Sequence, residues 1–124
     1  MENLIEQNTN KFWGIVVYEI VGNGCLNGLW TNNDAKKGGS IMNEIARKSD
    51  KKESEIIGDY TVAWIEADQE AVTGTLKITP NGITYNFEWF VENEDRSRFK
   101  AIGMQVGLSQ VVAFYWKSGD TFCV

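Results

Sequence analysis

Histidine is missing from all 124 residues. Its absence removes the commonest general base, the commonest metal ligand and every triad built on an imidazole. Cysteine occurs twice, at Cys25 and Cys123, with no CxxC pair. A structural zinc site is therefore excluded, and a disulfide framework needs more than two residues. Two thiols in a reducing compartment is the simple expectation. Proline occurs once, at Pro80, so the chain is not a proline-rich linker or ligand. There is no excess of positive charge. The net charge of −5 repels nucleic acid and anionic membrane surfaces, so neither is an expected partner. Lys48, Lys51 and Lys52 sit among Asp50, Glu53 and Glu55, and their fields largely cancel. No window approaches the roughly 20 apolar residues of a membrane-spanning helix. The first six residues have neither a basic region nor an apolar run, so no signal peptide is expected and a cytoplasmic location is. A secreted chain without its leader would read the same.

What the chain does have is glycine and aromatics: twelve Gly, five Trp, four Tyr and six Phe. Abundant turn residues between β-branched and aromatic runs point to an all-β domain. The length suits one domain, spanning 1–124, with the polar residues 1–10 as a loose tail.

The clearest local pattern lies in residues 70–91. Val72, Gly74, Leu76 and Ile78 alternate with polar residues, Thr79-Pro80-Asn81-Gly82 reads as a turn, and Ile83, Tyr85, Phe87, Trp89 and Val91 alternate on the return. A four-residue loop pairs Ile78 with Ile83. That register sets Leu76 opposite Tyr85, Gly74 opposite Phe87 and Val72 opposite Trp89. An earlier hairpin turns at Gly22-Asn23-Gly24. Pairing Ile20 with Leu26 puts Tyr18 opposite Gly28 and Val16 opposite Trp30, and a one-residue slip would set that apolar row against polar residues. A ring can lie over a glycine because no Cβ stands in its way, and such positions let a strand bend.

Other segments extend the pattern. Ile56 to Ala67, Arg98 to Val106 and Gln110 to Lys117 read as strands, and Thr121 to Val124 as a short terminal one. Residues 38–49 are ambiguous. Ile41, Met42, Ile45 and Ala46 fit helical spacing behind Ser40, but a strand keeps an antiparallel meander continuous. The expectation is an all-β, antiparallel up-and-down barrel of about eight strands, with a two-sheet sandwich as the alternative. An echo between the 15–30 and 60–76 segments is explained by the shared constraints of barrel hairpins, with duplication as the alternative.

Some of these pieces resemble a known family. Phe12-Trp13-Gly14, Leu26-Asn27-Gly28-Leu29-Trp30 and Tyr60-Thr61-Val62-Ala63-Trp64 are similar to strands of the avidin and streptavidin group, and more broadly of lipocalin-like barrels. The resemblance implies the streptavidin-like meander barrel. It does not carry biotin binding, because the ureido-binding Asn, Ser, Tyr and Asp set has no residue-by-residue counterpart here. Ala101-Ile102-Gly103-Met104 and Val111-Val112-Ala113-Phe114-Tyr115 also look similar to strands of small bacterial domains, a likeness that implies no particular activity.

No catalytic signature is present, so the chain is expected not to be an enzyme, and no cofactor or metal is implied. Gly22-Asn23-Gly24 joins strands and does not open a helix, so it is no phosphate loop. Asn93-Glu94-Asp95 lacks calcium-loop spacing. Glu66 and Glu88 are the conceivable acids, but Glu88 faces away from the aromatic row. Cys25 has no legible activating base. The remaining candidate is the aromatic row itself. Tyr18, Tyr60, Trp64, Tyr85, Phe87, Trp89 and Tyr115 would line a barrel interior and suit a small apolar or amphiphilic ligand. The competing reading is a solid, dry core in a structural or protein-interaction module. The outer face of the first hairpin is unusually apolar, with Trp13, Ile15, Val17 and Leu29, which points to a homo-oligomer, with an added helix or the N-terminal tail as the alternative cover.

Overall fold

The computed structural model describes residues 11–22, 24–34, 40–49, 55–66 and 68–120. The tail at 1–10, the terminal strand at 121–124, Cys123 and most of the charged turn at 50–55 lie outside the described residues.

Alternating side chains and short connections produce an antiparallel meander. Its strands are β1 (Trp13–Gly22), β2 (Cys25–Asn32), β3 (Met42–Lys48), β4 (Gly58–Ile65), β5 (Ala71–Asn81), β6 (Thr84–Val91), β7 (Phe99–Val106) and β8 (Gln110–Lys117). Each pairs with the next, and β8 pairs back onto β1, with Val16 opposite Ala113 and Tyr18 opposite Val111. The sheet is thus a closed eight-stranded up-and-down barrel. Closure leaves no unpaired edge, which is the physical advantage of this fold over an open sheet. The barrel replaces the sandwich alternative, and residues 42–48 are strand, not helix.

The first hairpin has the register that its apolar row demands. Ile20 faces Leu26, Tyr18 faces Gly28 and Val16 faces Trp30. A Cβ added to Gly28 would come within 2.8 Å of the Tyr18 ring, so the aromatic lies directly over the glycine backbone.

The second hairpin departs from the expected register. Leu76 faces Trp89, Ile78 faces Phe87 and Gly74 faces Val91, while Val72 faces Trp64 across the other ladder. The closing pair is Asn81 with Thr84, so the loop is Gly82-Ile83 and not a four-residue turn. Gly82 takes φ 63°, the primed geometry that matches strand twist in a two-residue loop. Ile83, expected on the inner row, sits at the tip and is 96% exposed. Pro80 is tolerated inside β5 because the β4 ladder ends at Ile78, leaving no neighbour to need its missing N–H. The glycine beneath Phe87 is Gly103 on β7, not Gly74. A Cβ there would come within 2.6 Å of the ring.

Inward residues fill the middle of the barrel. Val16, Leu26, Val62, Leu76, Ile78, Phe87 and Val111 are almost wholly buried. Two charged residues also point inward on β3, Glu44 and Lys48. Lys48 ends near the hairpin end of the barrel, where its Nζ donates to the Glu55 carbonyl at 2.6 Å. Glu44 lies deeper, toward the other end.

Candidate functional site: a cavity closed by a buried carboxyl

β3 reverses the usual polarity of a barrel strand. Met42, Glu44, Ala46 and Lys48 face inward, while Asn43, Ile45 and Arg47 face outward. Pairing on both sides fixes this phase: Ala46 sits between Leu26 and Val62, and Glu44 between Gly28 and Trp64. The consequence is a carboxyl inside the barrel, 6% exposed.

Two other strands supply its partners. The Tyr18 hydroxyl, from β1, donates to Glu44 Oε2. The Trp89 indole Nε1–H, from β6 across the barrel, donates to the same oxygen at 3.3 Å. No donor among the described residues reaches Oε1. Burial pushes the carboxyl up to about 7, and the Tyr18 and Trp89 hydrogen bonds pull it back by favouring the anion. The Tyr18 phenol is held well above its ordinary range, first by burial and then by the neighbouring carboxyl. It therefore stays protonated and remains a donor.

Above this pair lies a cavity of about 360 Å³ at the end of the barrel away from the β1–β2 and β5–β6 hairpins. Glu44, Met42 and Val16 lie at its base and side. Trp30, Trp64, Trp89, Phe99 and Tyr115 supply aromatic wall, and Asp34, Glu66, Arg98 and Lys117 supply charge around it. The aromatics support one another. Tyr18 stacks on Phe87 at 6.3 Å between centroids, Phe87 on Trp89 at 5.8 Å, and Tyr115 meets Phe99 edge-on at 5.8 Å. Several wall groups are also fixed by hydrogen bonds. The Tyr115 hydroxyl donates to the Thr31 carbonyl at 3.1 Å and accepts from Asn32 Nδ2 at 3.2 Å. The Trp30 indole donates to the Asn43 carbonyl at 3.3 Å. The two cations already have company: Arg98 pairs with Glu94, and Lys117 Nζ lies 4.9 Å from the Phe12 ring centre.

The structure divides the aromatic row expected from the sequence. Trp64, Trp89 and Tyr115 wall this cavity. Tyr18 and Phe87 lie beneath it, fully buried, with Tyr18 touching it only through Glu44. Tyr60 is at the opposite end, its hydroxyl donating to the Ile56 carbonyl at 2.8 Å. There it borders a second cavity of about 240 Å³ beside Cys25 and Leu26. Tyr85 is half-buried next to Pro80 and Gly103 and lines neither cavity. Of the two carboxylates considered from sequence, Glu66 is at the cavity and Glu88 is on the outer wall between Lys77 and Lys100. Glu44, Trp30 and Phe99 were not among the expected site residues. Trp30 was readable, since its pairing with Val16 already placed it inward. Among the described residues no cluster of acidic, thiol or imidazole groups is arranged to hold a metal ion.

No family model, curated protein or solved structure matches this chain significantly.

Proposed function

We propose that this barrel is a non-enzymatic binding protein for one small ligand, mostly apolar with a polar group. The observation that carries the reading is the aromatic cavity ending on a buried, titratable carboxyl. Pockets for small molecules are commonly about 300–1,000 Å³, mostly apolar, with few well-placed polar groups. Here the cavity is about 360 Å³ and Glu44 is the polar group at its base. Burying a carboxyl costs folding free energy, and perturbed groups of this kind concentrate at functional sites. A dry structural core gives no reason to place one there.

Uptake of N-phenyl-1-naphthylamine, a neutral and flat fluorophore, tests this. The expected result is a saturable fluorescence rise with one site per chain, accompanied by quenching of tryptophan emission. Met42→Trp, which adds bulk to the cavity wall, is expected to abolish the rise while preserving the β-sheet circular dichroism. Absence of saturable binding by the unmodified protein would favour the dry interaction module.

We further propose that the apolar outer wall takes a second copy of the chain. Ile102 and Met104 on β7, Val112 and Phe114 on β8, Ile15 and Val17 on β1 and Leu29 on β2 lie on neighbouring strands of the outer face. Ile15, Leu29 and Met104 are 41%, 54% and 55% exposed. A charged partner would find no counter-charge in these rows, whereas an identical apolar face suits them.

A further inference from the structure

The cavity combines two features that together specify a ligand class. Its wall carries the π-faces and edges of Trp30, Trp64, Trp89, Phe99 and Tyr115, and its base carries one carboxyl. Both are electron-rich. Indole and phenol rings attract cations through their quadrupoles, and this attraction strengthens when the cation leaves water. The carboxyl is also one-sided. Tyr18 and Trp89 both donate to Oε2, leaving Oε1 without a donor among the described residues, in a side chain that is 6% exposed and borders the cavity. A bound group that donates N–H to Oε1 would complete the carboxylate's hydrogen bonding.

Resting on the reading of the cavity as a binding site, we propose that its ligand is a small aromatic amine, bound as the ammonium. The ammonium would donate to Glu44 Oε1, and the ring would lie among the tryptophans. An anionic ligand fits less well. It would face Glu44 at the base and Asp34 and Glu66 higher up, while Arg98 and Lys117 are already engaged by Glu94 and Phe12. A neutral ligand would leave the carboxylate without a counter-charge. The net charge of −5 further favours the approach of cations.

Binding of this kind is linked to protons. Every titratable or charged group around the site has a place in that linkage. Tyr18 on β1 and Tyr115 on β8 stay protonated, because burial raises both phenols. Asp34 after β2, Glu66 after β4, Arg98 before β7 and Lys117 at the end of β8 complete the set. Burial raises Glu44 to about 7, so its charge changes near neutrality. An alkylammonium keeps its proton to about pH 10. Affinity should therefore rise roughly tenfold per pH unit up to about 7 and then level off, as Glu44 ionises.

The test uses three probes of one shape: phenethylamine, 2-phenylethanol and phenylacetate. Titration calorimetry and tryptophan emission are followed at pH 5.5 and pH 8. At pH 8 the amine is expected to bind at least about tenfold more tightly than the alcohol, and the acid most weakly. Glu44→Gln should bring the amine down to the alcohol's affinity and abolish the pH dependence of amine binding. Equal affinity for amine and alcohol, or preference for the acid, would overturn the cation proposal while leaving a ligand-binding barrel. Failure of all three probes and of the neutral fluorophore would overturn both readings. Amine binding that survives Glu44→Gln undiminished would overturn the role given to the carboxyl.

Discussion

Glu44 owes its titration to a contest between burial and two hydrogen bonds. Removal from water favours the neutral acid, and the Tyr18 and Trp89 donors favour the anion. The balance, at about 7, lies well above the ordinary 4.5 of a glutamate in an unfolded chain. A folded-state value raised in this way has a definite sign. The native state holds the proton more tightly than the unfolded state, so the associated stability is full below about pH 4.5 and is lost as pH rises through about 7. At about 1.4 kcal/mol per pKa unit the loss approaches ~3 kcal/mol. Glu44→Gln keeps the shape and cannot ionise. It should therefore match the parent in urea unfolding near pH 4 and gain up to ~3 kcal/mol over it at pH 8. A constant difference at both pH values would mean that the carboxyl's charge is not the cause. Tyr18→Phe removes one of the two groups that favour the anion. It should move Glu44 further above 7, as read by the carbon chemical shift of the side-chain carboxyl. An unchanged or lowered value would show that Tyr18 does not stabilise the carboxylate.

At the scale of strands, the reliable signal was apolar alternation with one consistent inner face. β4 has it and β2 nearly so, which marks Leu26, Val62 and Trp64 as inward. β1 and β8 are apolar on both faces, and in β1 the inner row of Val16 and Tyr18 follows instead from the hairpin register with Trp30 and Gly28. β3 lacks that alternation. Ile41 and Ile45 are 68% and 54% exposed, whereas Glu44 and Lys48 are buried, so hydropathy points to the wrong face. The phase comes from the ladders to β2 and β4, which a local pattern does not contain. The buried acid was hidden for that reason. In the β5–β6 hairpin the obstacle was turn chemistry. Thr79-Pro80-Asn81-Gly82 has the composition of a turn, yet Pro80 and Asn81 extend the strand and Ile83 occupies the tip. A turn with Gly82 at its first central position overrode the gain from burying Ile83. Two substitutions distinguish packing from turn conformation. At Gly103 an added Cβ would come within 2.6 Å of the Phe87 ring and 2.8 Å of the Val112 carbonyl. Gly103→Ala should therefore cost about 1–3 kcal/mol through overpacking. At Gly82 no atom lies within 4 Å of the added Cβ, and only the positive φ opposes it. Gly82→Ala should cost about 1 kcal/mol in thermal or urea unfolding. With Gly103→Ala, a repacked Phe87 should also disturb the Trp89 stack and its emission, an effect that Gly82→Ala should lack. A neutral Gly103→Ala variant would mean that the ring does not rest on this backbone.

The closed barrel has two unlike outer sides. β5 and β6 carry Thr73, Thr75, Lys77, Asn86 and Glu88 outward, an ordinary solvated surface. From β7 through β8 and β1 to β2 the outward positions are largely apolar, and Ile45 on β3 continues the trend. Closure has already satisfied the backbone, so backbone pairing does not explain this face. Ring packing explains part of it: Trp13 stacks on Phe114 at 5.9 Å, and Phe114 meets Trp116 at 6.1 Å. These contacts leave Ile15, Val17 and Leu29 more than a third exposed. Strands about 4.8 Å apart, with residues rising about 3.3 Å, make a face of about 20 by 25 Å over five strands. Its projected area is about 500 Å², smaller than the roughly 800 Å² of accessible surface that a standard interface buries on each partner, so a dimer would engage the whole face. A two-fold pair would set the same rows against each other and close, leaving the polar β5–β6 sides outward. Val17 and Leu29 are neighbours across the β1–β2 ladder, so Leu29→Glu paired with Val17→Glu would place four acids at the centre of a dimer. Sedimentation velocity should show a dimer for the parent protein and a monomer for the double variant, with both folded by circular dichroism. The cavity lies inside the barrel and not on this wall, so probe binding should survive in the monomer. A parent protein that sediments as a monomer across a concentration series would refute self-association through this face.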